Sequence, residues 1–336
     1  LLDTATTLSM LDRGVVERLG LEPVGDLSGL AVGGTMKIEL TRLPFLQVGG
    51  VLIEEQLVGV ADLSEGIREQ LGVEVLGLLG YDFFSRMVVT LDYQGICGLH
   101  HGNTWRVPDG GVTLPLRFVD QQPVVNGTLD GIHAGDWRLD TGADALTVHG
   151  PAAAAWDLRG AHGDGRPVSA AGMGGETAAR WLDADRFQLG PYAIDGPPIM
   201  VPDDPAGVLR AEGTVGNLGN AILERFTVTV DFSGQRVHLQ PGPRAGEQLR
   251  VHTVDFDVGW VGTRVEVLWV LPGGEGEERG LRAGQRVLRL GGRSALAWTE
   301  GELGRLWAGE AESRATMVVR DGHRRLRIPL EIPAAP

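Results

Sequence analysis

The chain has 336 residues, 43% of them apolar and 22% charged, with a formal net charge of −14. That composition specifies a globular protein of two or three domains and excludes a disordered one. So acidic a chain also argues against nucleic acid as a partner, because phosphate binding needs basic patches. No run approaches the ~18 consecutive apolar residues of a membrane span, and no targeting segment is visible within these residues. The single cysteine, Cys97, excludes an internal disulfide and a thiolate metal cluster. Glycine is abundant, at 51 residues, and turn-like dipeptides recur, which favours many short strands over long helices.

In chain order, the first feature is Leu1-Leu2-Asp3-Thr4-Ala5, an apolar stretch ending on an aspartate. Leu8 to Leu11 then reads as a strand, and Val15 to Leu21 as a short amphipathic helix. A glycine-rich hairpin follows at Gly29 to Thr35, with Gly33-Gly34 at its tip. Leu76 to Gly80 precedes a stretch from Gly80 to Tyr93 that reads as a short helix feeding a strand. Cys97 lies in an apolar run after a turn, where a buried, inert thiol is expected. Residues 100–111, opening on His100-His101 and ending on Gly110-Gly111, read as a solvated linker.

The same order of features then returns. Strand-like sequence from Val112 to Leu139 leads to Asp140-Thr141-Gly142-Ala143-Asp144, 137 residues after Asp3. Gly174-Gly175 occupies the place of Gly33-Gly34. Gly219 to Phe232 aligns on Gly80 to Tyr93 without a gap. Residues 1–99 and 112–242 therefore read as two homologous all-β lobes. The second has about 28 residues of strand-like sequence before its aspartate and the first has two. By symmetry the opening strands of the first lobe are missing, and the natural protein is expected to continue upstream.

A second linker is expected at 243–252, beyond which the repeat stops. The tail, 253–336, has its own rhythm: Arg264 to Leu271, Arg279 to Gly292, then two alternating runs around Asp321-Gly322, a strong hairpin signal. No His-Glu-x-x-His or comparable spacing occurs, so no metal or other cofactor is expected.

Two aspartates brought face to face make a carboxylate pair that shares one proton, because like charges a few ångströms apart cannot both ionise cheaply. Asp3 and Asp140 are the candidate catalytic pair, with Asp144 expected to make a local hydrogen bond or to pair with an arginine such as Arg225. The competing reading of the same residues is a decayed scaffold that binds peptides without cutting them, with Ala5 marking the lost site.

These residues resemble the retropepsin-like aspartic proteases in a single-chain, two-lobed arrangement. Leu139-Asp140-Thr141-Gly142-Ala143-Asp144 is similar to the family's active-site motif, and the Gly33-Gly34 and Gly174-Gly175 hairpins are similar to its flaps. The resemblance covers residues 1 to about 242. It implies a mainly β, pepsin-like bilobal unit and an aspartic endopeptidase acting on extended polypeptides with an activated water. Thr4 and Thr141 would support the carboxylates, and Ala5 and Gly142 would offer them backbone N–H groups. Lobe one departs from the pattern at Ala5, where the family has glycine. A negative φ there would cost little, whereas a positive one would cost roughly 1 kcal/mol or more. The tail is similar to a PDZ domain, which implies a peptide C-terminus docked by strand addition. Val258-Gly259-Trp260-Val261 is the candidate carboxylate-binding loop, with Gly259, Trp260 and Val261 in the peptide groove. The resemblance also implies a monomeric, exported or periplasmic bacterial protein.

Overall fold

The structure is a computed structural model that describes residues 1–63, 75–102, 104–246, 256–270, 274–299, 302–303, 306, 313–322 and 324–332. The protein is mainly β, and its described residues fall into two compact units. The larger takes residues 1–63, 75–166 and 170–246, and the smaller takes 167–169 and the residues from 256 onward.

Three sheets build the larger unit. The first runs in the order Pro23–Ala31, Gly34–Val48, Val51–Ala61, Met10–Asp12, Gly77–Leu78. Long hairpins make its outer part, and Met10–Asp12 inserts parallel to Val51–Ala61. The short helix Arg13–Leu19 follows because Asp12 caps it, accepting from the Gly14 N–H, and Gly20 ends it in the left-handed conformation.

The second sheet has ten strands. Its central order is Pro198–Pro202, Leu146–Val148, Gly216–Leu218, His133–Leu139, Gln122–Leu129. Arg166–Gly172 and Gly175–Asp183 form the hairpin at one end, and Arg186–Leu189 and Tyr192–Asp195 lie at the other. Alternation decides the faces: Trp137, Leu139, Leu146, Val148 and Leu218 are fully buried in one apolar cluster. Their neighbours Arg138, Thr147 and Asn217 occupy the opposite face.

The third sheet joins the two repeats. Val88–Leu91 pairs antiparallel with Phe226–Asp231, flanked by Cys97–His100 on one side and by Arg236–Pro241 and Val112–Pro115 on the other. Each central strand follows the short helix expected before it, Tyr81–Phe84 or Asn220–Leu223. The interlocking is an apolar event, since Phe84, Phe118 and Phe232 pack ring against ring. Cys97 corrects the expectation of a buried thiol. It is exposed, because Cys97–His100 is the edge strand of this sheet.

The smaller unit has its own core and a six-stranded antiparallel sheet, ordered Phe256–Val261, Arg264–Val270, Arg286–Leu290, Ser313–Asp321, Arg324–Ile332, with Arg293–Ser294 off the third strand. The hairpin expected at Asp321-Gly322 forms, with Gly322 at φ +57°. The linker expected at 243–252 lies outside the described residues from 247 onward. Gly259, Trp260 and Val261 are not a loop. They pair in register with Glu266, Val265 and Arg264, because Phe256 and Val258 alternate into the core and carry the strand onward. The Trp260 indole N–H donates to the Trp298 carbonyl at 3.1 Å.

Candidate active site

Both Asp-Thr segments leave a strand in the same way. The Asp3 N–H donates to the Leu79 carbonyl (2.9 Å), and the Asp140 N–H to that of Leu218 (3.1 Å). Three residues past each aspartate, the carbonyls of Thr6 and Ala143 accept from Tyr81 and Asn220 at 2.8 and 2.7 Å. The turns so formed press on Gly80 and Gly219. A Cβ at Gly80 would lie 2.5 Å from the Thr6 oxygen, and one at Gly219 would lie 2.3 Å from that of Ala145. Close backbone approach, not a left-handed φ, demands these two glycines.

The two turns lock across an approximate twofold axis. The Thr4 hydroxyl donates to the Leu139 carbonyl at 2.6 Å, and the Thr141 hydroxyl to that of Leu2 at 2.8 Å. Each hydroxyl also accepts from the other threonine's backbone N–H, at 3.1 Å in both directions. Four hydrogen bonds thus tie residues far apart in sequence, and the Thr4 hydroxyl is fully buried. A Cβ at Gly142 would fall 2.6 Å from the Asp3 Cγ, so the backbone of one repeat lies directly against the carboxylate of the other.

The carboxylates are held differently. Asp3 accepts three local hydrogen bonds, from the N–H groups of Ala5 (2.9 Å) and Thr6 (3.0 Å) and from the Thr6 hydroxyl (2.6 Å). Ala5 keeps a negative φ, the inexpensive alternative foreseen for it. Asp140 is 7% exposed and accepts from the Gly142 N–H (3.1 Å) and from the Asn217 amide (2.8 Å). Burial pushes its carboxyl up to about 7, with Asp3 adding to the rise and Arg138 opposing it.

Behind Asp140 a polar chain runs into the sheet. Since the Asn217 amide nitrogen serves Asp140, its oxygen must accept from the His149 Nε2 at 2.9 Å. The His149 Nδ1 then accepts from the Thr214 hydroxyl at 3.2 Å. The ring is completely buried, and burial first, then Arg138, lower its pKa to about 4. Asn220 supports the same turn, donating to the Thr141 carbonyl at 3.0 Å and accepting from the Tyr93 hydroxyl at 2.9 Å.

The paired glycines also meet. Gly33-Gly34 lies at the turn between Pro23–Ala31 and Gly34–Val48, and Gly174-Gly175 at that between Arg166–Gly172 and Gly175–Asp183. The Gly174 N–H donates to the Val32 carbonyl at 3.0 Å, and a Cβ at Gly33 would strike the Gly175 backbone at 2.5 Å. The tips touch backbone to backbone, with Gly33 at φ +88° and Gly175 at φ +116°.

Asp144 does not pair with Arg225. Its carboxylate, pushed up by burial, has no hydrogen-bond partner among the described residues, while Arg225 donates to the Ala245 carbonyl at 3.0 Å. Asp82 accepts from the N–H and hydroxyl of Ser9 and from Gln56. Arg138, His149, Asn217 and Asn220 escaped sequence reasoning. The one available signal was that Arg138 and Asn217 stand where the other repeat has Leu1 and Leu78. Among the described residues, no group of three or more His, Cys, Asp or Glu side chains could hold a metal ion, and no helix is long and apolar enough to cross a membrane.

Comparison with known proteins gives three findings. No curated protein matches the chain. Among solved structures it is similar to a retropepsin-like aspartic protease from Rickettsia conorii, with a TM-score of 0.28 and 17% identity over 40% of this chain and 94% of that one. The model of the aspartyl protease family matches residues 1–83, the segment that carries Asp3, Thr4 and the Gly33-Gly34 hairpin.

Proposed function

We propose that the chain is an aspartic endopeptidase built of two retropepsin-like lobes, with Asp3 and Asp140 as its catalytic dyad. The observation that carries this reading is the reciprocal Thr4–Thr141 lock, which holds the two Asp-Thr turns against each other. Two close carboxylates sharing one proton are the general device of aspartic proteases.

In this reading Asp140, buried and raised to about 7, keeps the proton, and Asp3 is the base. A water gives its proton to Asp3 as its oxygen bonds to the scissile carbonyl carbon, while the Asp140 hydroxyl donates to the carbonyl oxygen. The resulting diol collapses when the C–N bond breaks. The leaving nitrogen takes the proton from Asp3, and a diol hydroxyl returns one to Asp140. Thr4 and Thr141 hold the carboxylate turns, Ala5 and Gly142 donate to the carboxylates, and the Gly33-Gly34 and Gly174-Gly175 tips close over an extended substrate. The C-terminal sheet serves as a PDZ-like module that recruits polypeptide by strand addition at a sheet edge. Removing residues 250–336 should then depress turnover of protein substrates more than of short peptides.

The test is cleavage of a peptide library by the full chain and by Asp3→Asn and Asp140→Asn. Hydrolysis should vanish in both variants. Equal residual hydrolysis in all three proteins would refute the reading.

A further inference from the structure

We propose that Arg138 is a carboxylate-binding subsite beside the aspartate pair, so that the cleft selects a substrate with a glutamate or aspartate side chain next to the scissile bond. The inference rests on the peptidase reading and adds a substrate class to it.

Arg138 lies in the strand His133–Leu139, two residues before Asp140. Trp137 and Leu139 point into the apolar core, so Arg138 and Asp140 share the opposite face. Its register partner in the next strand is Asn217, the residue that donates to Asp140. Arg138 thus stands within the wall that holds the dyad.

Arg138 as a residue is only 5% exposed, yet its guanidinium makes no hydrogen bond or ion pair with any described residue, and its Nε is sealed from solvent without a partner. Asp140 and Asp3 act on it through space, neither within ion-pair contact. A buried, unpaired guanidinium is costly to keep. Its planar fork of N–H donors matches a carboxylate or phosphate bound through two oxygens, and in a polypeptide substrate that group is an acidic side chain. Asn217 and His149, the polar groups nearest the dyad in this wall, are already committed. Asn217 uses its amide nitrogen on Asp140 and its oxygen on His149, and His149 is occupied at both ring nitrogens. Arg138 is therefore the cationic donor left over.

The feature is one-sided. The position 137 residues before Arg138 is Leu1, and the residue matching Asn217 through the Gly80–Gly219 alignment is Leu78. One half of the cleft thus offers a cation where the other offers an aliphatic side chain. The expected substrate carries an acidic residue on one side of the scissile bond and an apolar one on the other.

The test uses peptides identical except for Glu, Gln or Leu at each position flanking the scissile bond. The full chain should cut the best Glu peptide at least tenfold more efficiently, in kcat/KM, than its Gln counterpart. Arg138→Met should bring that ratio close to one, and Arg138→Lys should keep part of it. Reduced-bond, uncleavable versions titrated onto the Asp3→Asn protein should show the same Glu preference and its loss in Asp3→Asn/Arg138→Met. Glu preference in binding without cleavage of any peptide would sink the peptidase reading and leave the subsite standing. Equal handling of Glu and Gln peptides by the full chain overturns the subsite. So does an Arg138→Met protein that keeps the Glu:Gln ratio while its pH profile moves alike for both peptides, since Arg138 would then be a counter-ion of the pair.

Discussion

Asp3 and Asp140 end matching turns, but their surroundings are built on different principles. Asp3 is held by its own loop, through Ala5 and Thr6, with aliphatic Leu78 at the place that Asn217 fills in the other repeat. Asp140 is held from across the sheet by Asn217, with His149 and Thr214 behind and Arg138 alongside. The backbone lock between the turns is symmetric and the electrostatics are not. A duplicated backbone can therefore place two identical side chains in register while surrounding them with unlike neighbours.

Removing either carboxylate is the harshest way to break the comparison. If the two form one dyad, Asp3→Asn and Asp140→Asn should each lower kcat by ~10³-fold or more, because general acid–base work is lost whichever member goes. Unequal losses would mean that the unlike surroundings matter more than the pair.

Next in size is a substitution whose effect should appear on one side only. In Gly142→Ala the new methyl group would meet the Asp3 carboxylate at 2.6 Å, so kcat should fall by ~10²-fold through misplacement of a reacting group. The reverse change, Ala5→Gly, should leave kcat within a few-fold and cost about 0.4–1 kcal/mol of stability through the freer unfolded chain. Steady-state kinetics and urea unfolding of both variants check this.

A pH series sharpens the electrostatic half. The Asp140 carboxyl is raised above its unfolded value of 3.8 to about 7, so activity should fall roughly tenfold per unit as pH rises beyond about 7. The stability contributed by the protonated carboxyl is complete below pH 3.8 and is lost as pH climbs through about 7. His149 has the opposite sign. Its pKa drops from 6.5 to about 4, so the stability it contributes is present above pH 6.5 and is lost as pH falls toward 4. His149→Gln should flatten that acid limb in thermal melts from pH 7 to 4 and leave the alkaline limb in place.

The smallest effect concerns the symmetric part. Thr4→Val and Thr141→Val should each cost about 1–3 kcal/mol, the price of leaving buried backbone partners unsatisfied. The double variant should cost less than the sum, since the two hydroxyls serve one lock. Strict additivity in denaturant melts would show that the two turns are held independently.

Much of the fold was legible because its signals are local. Gly33-Gly34 and Gly174-Gly175 do sit at hairpin turns, Tyr81–Phe84 and Asn220–Leu223 do feed strands, and Asp321-Gly322 does turn. The misreadings concern partners distant in sequence. Cys97 lies on a sheet edge and not inside, the Asp144 carboxylate makes neither a local hydrogen bond nor an arginine pair among the described residues, and Gly259 to Val261 belong to a strand. Nothing in the letters Trp-Arg-Leu announces that Arg138 will be buried without a partner, because burial is decided by the strands beside it and what packs over them.

The sequence by itself determined the repeat: two Asp-Thr strand ends, two paired glycines and two helix-to-strand stretches in the same order, each set by chain-local periodicity and turn chemistry. Only the tertiary structure decided that Thr4 and Thr141 grip each other's strands and that Asp140 is the buried partner. Only it set an Asn217–His149 chain and an unsatisfied Arg138 beside that residue. Those are contacts between residues tens to more than a hundred positions apart, and hydrogen bonding and desolvation act on distance in space, which the order of residues along a chain does not encode locally.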